Sequence, residues 1–201
     1  MTPDQPVRRR LDAEERREAI LQAAARLFAD ASYSQVSAAQ IAAEAGSSQA
    51  LIFHYFGSKA GLYAALMTRA VDSMVEAQKA ADAALPQGNS ARDRVRTSLE
   101  VYLDRIAAHP ANWASGFTGG DEPAEGQQIR RDARAAYVSM LRDLLGTSDW
   151  ARHEYAIWGY FGFVDTACLR WVEQGCPANE RNPLIDAALG ALEGALGDWG
   201  S

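Results

Sequence analysis

Apolar residues recur along this chain at intervals of three and four, and no stretch alternates apolar and polar positions for long. That period belongs to helices. Ile20, Leu21, Ala24, Leu27 and Phe28 share one face of a helix expected over 13–30. Asp12 and Glu15 stand at the spacing of an N-terminal capping pair, and the Ser32-Tyr33-Ser34 stretch ends the helix. Ser37-x-x-Gln40 is a capping box for a short second helix, with Ile41, Ala42 and Ala45 facing inward. Gly46 suits the left-handed position that closes such a helix. Ser47-Ser48 then caps a third helix over 48–54. Two short helices joined by a glycine-containing turn fit a helix-turn-helix, although any helical hairpin shares the pattern.

Gly57-Ser58-Lys59 opens a long helix over 59–84, striped by Leu62, Leu66, Ala70 and Met74 and spanning ~40 Å. Pro86-Gln87-Gly88-Asn89 breaks it. Further helices are expected over 91–108, 123–145, 149–174 and 183–197. The linker from Pro110 to Pro123 is irregular, with room for a short helix near Trp113. The expectation is an all-α chain in two units. Residues 1–57 form an N-terminal arm and a three-helix helix-turn-helix head. A long helix joins this head to a helical body, 58–201.

Composition narrows the function. Hydrophobic residues are 48% of the chain, enough for a core. No apolar run reaches the ~18 residues of a membrane span. The first ten residues are polar and basic and lack the apolar segment of a secretory signal, so a cytoplasmic protein is expected. Cys168 and Cys176 read as reduced thiols. The three histidines are isolated, so no metal site is expected. No nucleophile–base pair or cofactor loop stands at recognisable spacing, so neither an enzyme nor a cofactor is expected. The net charge of −6 disfavours a nucleic-acid partner at first sight. Residues 1–70, however, carry eight Lys/Arg against seven Asp/Glu, while the remainder carries twelve against nineteen. Screening confines the acidic body's field to ~10 Å, so the body leaves the head competent to meet DNA.

The run from Ile41 to Lys59 contains Ala45-Gly46, Leu51-Ile52-Phe53-His54-Tyr55-Phe56 and Ser58-Lys59 in order. With Leu27-Phe28 and Tyr33 before it, this run resembles the DNA-binding signature of the tetracycline-repressor (TetR) family over residues 13–67. The resemblance implies a repressor that binds a near-palindromic operator as a homodimer and is released by a small apolar or amphipathic effector. It implies that Ser37 meets a phosphate at a helix start. Ser48, Gln49 and Ala50 would enter the major groove, with Gln49 pairing to adenine. His54, Tyr55 and Lys59 would reach phosphates, and Arg8, Arg9 and Arg10 would lie along the backbone or in a minor groove. Ile52 and Phe53 would pack the head. Ser47 stands where the family has an apolar residue, and it either weakens the head's core or points to DNA. Ala50 replaces a common glycine, Phe53 a tyrosine, and Ala60 and Gly61 the usual acidic residues.

In the body, the resemblance implies that the last two helices pair with those of a second copy. Gly190, Gly194 and Gly197 lie at i, i+4 and i+7, a small-residue stripe that permits close approach or marks a frayed end. Trp113, Phe117, Tyr137, Trp158 and Phe161, with the carboxylate of Asp165, are candidates for an effector pocket. The alternative is a helical ligand-binding or protein-interaction domain without regulated DNA binding, which leaves the run from Ile41 to Lys59 unexplained.

Overall fold

The computed structural model describes residues 13–29, 31–118 and 121–197, and every regular element among them is helical. The head comprises α1 (Ala13–Ala29), α2 (Ala38–Glu44) and α3 (Gln49–Phe56). α4 (Lys59–Ala83) leads into α5 (Ala91–Ala108), α6 (Pro110–Thr118), α7 (Ala124–Leu145) and α8 (Ala151–Glu173). A short 3₁₀ turn over Ala178–Glu180 precedes α9 (Arg181–Leu196). The expected helix ends fall within two residues of these, and the irregular linker contains a full helix, α6. Asp12 and Arg8–Arg10 lie outside the described residues. None of the described helices is long and apolar enough to cross a membrane.

Caps account for the segmentation. The Ser37 hydroxyl accepts from the Gln40 amide while the Gln40 side chain accepts from the Ser37 amide, which is the expected box. Ser48 and Ser58 accept from the amides of Leu51 and Gly61, at 3.2 and 2.9 Å. The acidic half of a box at α4 is absent, and serine alone starts that helix. Gly61 also has a packing role: a Cβ there would collide with the Phe56 carbonyl, so only glycine lets α4 start so close to the end of α3.

Two apolar cores result. In the head, Ile20, Phe28, Ile41, Ile52 and Leu62 are buried together. In the body, Leu103, Ile106, Ile157, Ile185 and Leu189 are buried together. α8 and α9 run antiparallel, because Arg152 near the start of α8 donates to the Ala195 and Gly194 carbonyls at the end of α9. These are carbonyls that a helix end leaves without partners. Gly197 has φ +82° beside that guanidinium. It is the stop of α9 rather than the third member of a helical glycine stripe, which corrects the sequence reading. Cys168 is buried and free, and burial pushes its thiol up to about 12, so it is chemically quiet.

Candidate nucleic-acid interface and ligand cavity

The outer face of α3 is built by contrast with its inner one. Ile52 is fully buried and, with half-buried Leu51, Tyr55 and Phe56, anchors the helix. Ser48, Gln49, Ala50 and His54 are exposed. The Gln49 amide makes no hydrogen bond to any described residue, so both its donor and its acceptor are available. Phe53 is 44% exposed and lies one turn beyond Gln49, so it belongs to the outer face. The sequence reading that packed it beside Ile52 is corrected. Adjacent residues on a helix point about 100° apart, and Ile52 fills the inward direction. The signal was the tyrosine expected at this position, a ring with a polar tip.

Three other residues expected at phosphates have partners within the head. The Ser37 amide and hydroxyl both donate to the Gln40 side chain at 2.8 Å, so Ser37 serves the cap of α2. Tyr55 is half-buried against the head core. Lys59 turns inward: its Nζ donates to the Tyr33 and Val36 carbonyls at 2.8 Å each and lies 3.8 Å from the Tyr33 ring centroid. Burial lowers its pKa, and Asp121 opposes that shift. The ammonium ties α4 to the turn before α2 instead of facing a phosphate. The phosphate contact expected for Lys59 came from the family resemblance and the cation's place at a helix start.

Ser47 resolves the other way. Its hydroxyl is buried without a hydrogen-bond partner among the described residues. Ser47→Ala is therefore expected to raise the head's stability by about 1 kcal/mol. Urea denaturation checks this, and an unchanged or lower midpoint contradicts it.

The loop between α6 and α7 touches the head. The Ser34 amide donates to Asp121 at 3.1 Å, and the Tyr63 hydroxyl to Glu122 at 3.2 Å. Tyr63 packs edge-on against both Phe28 and Tyr33, with centroids 5.2 Å apart. On its other side Glu122 accepts from Arg130 Nε at 2.8 Å.

Behind Arg130 lies a cavity of about 610 Å³, walled by α4 to α8. That volume is within the ~300–1,000 Å³ of small-molecule sites. Trp113, Phe117, Tyr137, Phe161 and Asp165 all line it, as the sequence suggested. Trp158 does not. It is 44% exposed on the outer side of α8 and donates to Glu154 at 2.8 Å, so it is removed from the pocket. Trp113 donates to the Tyr102 hydroxyl at 2.8 Å. Asp165 is paired with Arg134; burial raises its pKa and Arg134 opposes the rise. The Tyr137 hydroxyl and Gln78 Oε1 are buried without partners. Arg130, Arg134, Tyr102 and Gln78 escaped the sequence reading. Each is a polar residue on a mostly polar helix, and only the packing of α4, α5 and α7 shows which of them turn inward.

The outer face of α8 and α9 is apolar and open. Tyr155 is 77% exposed and Trp158 is its neighbour one turn on. A Cβ placed on Gly159, Gly162, Gly190 or Gly194 would meet nothing within 4 Å.

Residues 20–66 match the family profile described as "Bacterial regulatory proteins, tetR family". The chain is 35% identical over 97 residues to the HTH-type transcriptional activator FasR of Mycolicibacterium smegmatis, covering 48% of this chain and 43% of that one. It is 34% identical over 134 residues to the HTH-type transcriptional regulator BetI of Rhizobium meliloti, covering 65% and 62%. The matches thus span roughly half the length of these curated relatives. A TetR-like transcriptional regulator from Rhodococcus sp. RHA1 superposes with a TM-score of 0.69 at 25% identity, covering 91% of this chain and 96% of that one.

Proposed function

Because residues 20–66 match the tetR family of bacterial regulatory proteins, we propose that this chain belongs to that family, binds a near-palindromic operator as a homodimer and leaves it when an amphipathic effector fills the cavity. The observation that carries this reading is the outer face of α3. Ser48 caps a helix whose exposed residues include an unengaged carboxamide, Gln49, and an apolar ring, Phe53. A carboxamide matches the N6/N7 pair of adenine in the major groove, and an apolar ring matches a thymine methyl. Open apolar faces on α8 and α9 supply the second copy's seat. Two-fold symmetry then requires half-sites on one DNA face, about 35 Å apart or a multiple of that.

Gln49→Ala is expected to relax sequence preference at one position of each half-site, by about 1–3 kcal/mol of discrimination. Operators are first selected from random or genomic fragments with the full chain. Binding of wild type and variant to a series of single-base changes then reads the effect. Loss of the same factor at every sequence contradicts base reading by Gln49.

A further inference from the structure

Polarity along the cavity wall is graded. On α7, Arg130, Arg134 and Tyr137 follow one another at i, i+4 and i+7, and Met140, Leu141 and Leu144 continue the wall towards the other end. Opposite them, α4 offers Met67, Val71 and Met74. The charged residues at the far rim are already matched: Arg94 pairs with Asp82 at 2.6 Å and Lys79 with Glu76 at 3.0 Å. At the near end the balance differs. Two guanidiniums, with five N–H donors each, meet two carboxylates. Arg130 gives Nε to Glu122, and Arg134 gives one Nη to Asp165. Arg130 also interacts with the Tyr63 hydroxyl. Among the described residues no further hydrogen bond is found for the remaining N–H groups, while the aromatic faces of Phe117 and Phe161 are covered by the same two cations. A cationic ligand would face two guanidiniums. An oxyanion would supply the acceptors they lack.

The space around Arg130 is held open by glycine. A Cβ on Gly116 would overlap the guanidinium. A Cβ on Gly126 would stand 2.8 Å from the Tyr63 ring and 3.1 Å from Glu122. Both glycines are helical, so their backbone does not demand glycine. At Gly126 the Tyr63 ring does, and at Gly116 a side chain would displace the Arg130 guanidinium.

Resting on the function proposed above, we propose that the effector is a carboxylate on an apolar chain, and that its carboxylate takes Arg130 in competition with Glu122. The Glu122 side chain is only 9% exposed. Losing its cation while staying buried is costly, so the turn carrying it must move. That turn also carries Asp121, which holds the Ser34 amide, and Glu122 itself accepts from Tyr63 within the head's aromatic cluster. Ligand binding thus releases the head from the body at two hydrogen bonds.

The test uses the full chain and three probes of equal length: decanoate, decanol and decyltrimethylammonium. Binding is read by calorimetry and by the part of the tryptophan fluorescence change that a Trp113→Phe variant loses, since that indole lines the cavity. Decanoate is expected to bind at least about tenfold tighter than decanol, the value of one charge-assisted hydrogen bond, and the cation weakest. Arg130→Gln should abolish the acid-over-alcohol preference while decanol still binds. Arg130→Lys should keep part of it, which separates lost recognition from lost folding. Glu122→Gln should tighten decanoate and weaken operator binding without ligand. Equal affinity for acid and alcohol, tightest binding of the cation, or no binding of any probe overturns the proposal. So does a full preference retained in Arg130→Gln. The ligand arms contain no DNA, so a failure to bind any operator sinks the proposed function alone. Operator binding that ignores saturating decanoate sinks the release mechanism alone.

Discussion

Lys59→Met is expected to destabilise the head by about 2–3 kcal/mol. The ammonium donates to two backbone carbonyls, Tyr33 and Val36, and covers the Tyr33 ring. Each hydrogen bond from a charged donor is worth about 1.5–3 kcal/mol, and the total is reduced where water can replace the lost donor. Methionine keeps the stem's length and apolar contact but leaves both carbonyls without that donor. The effect should appear as a lower unfolding midpoint and as faster amide exchange around residues 33–36. Operator affinity should fall by one factor for all sequences, with the salt dependence nearly unchanged. A phosphate contact predicts the reverse pattern: unaltered stability and a salt slope shallower by about one. Those two readouts distinguish a joint from a DNA contact.

The second large effect concerns the glycines of α9. In an isolated chain, Gly190 and Gly194 lie on an open surface, and each glycine-to-alanine change there should stabilise the helix by about 1 kcal/mol. Against a second copy, the same open space is where two backbones approach. Gly190→Leu with Gly194→Leu is therefore expected to give monomers at micromolar concentration. Operator affinity should drop at least about a hundredfold, because the second head no longer binds at the effective concentration the dimer provides. Sedimentation or light scattering reads the mass. A variant that stays dimeric and gains stability would place the interface elsewhere. Trp158 and Tyr155 belong to this face, which is why an aromatic assigned to the pocket by composition alone is found outside it.

The helices were legible because caps and glycines mark their ends: Ser37 with Gln40, Ser90 with Asp93, Gly57 and Gly146 each stand where a helix starts or stops. Helix faces were legible only where one strong apolar stripe decides the direction. α1 has such a stripe: Ile20, Leu21, Ala24 and Phe28 are buried as expected, while Leu27 is half-buried and Ala23 joins the buried face. α8 does not, being apolar on several sides, so its sequence cannot say that Phe161 lines the cavity while Trp158 is exposed on its outer side. In the short α3, one position of error separates Ile52 from Phe53. Polar residues were the least legible. Lys59 and Arg130 look like solvated cations, and what makes them structural is the set of carbonyls and carboxylates that distant segments bring to them. Gly126 carried a signal, since helical glycine without a positive φ needs a reason, and the reason is the Tyr63 ring packed against it.

Recognition of a two-fold operator by the outer face of α3 is tested most directly by titrating the full chain into a selected near-palindromic duplex and into its scrambled counterpart, at about 50 and 200 mM salt. With roughly six phosphates contacted, affinity for the selected duplex should fall about a thousandfold between those salts. At either salt the selected duplex should bind at least about a thousandfold tighter than the scrambled one, with two chains per duplex. Equal affinity for the two duplexes, or one chain per duplex, would contradict the account.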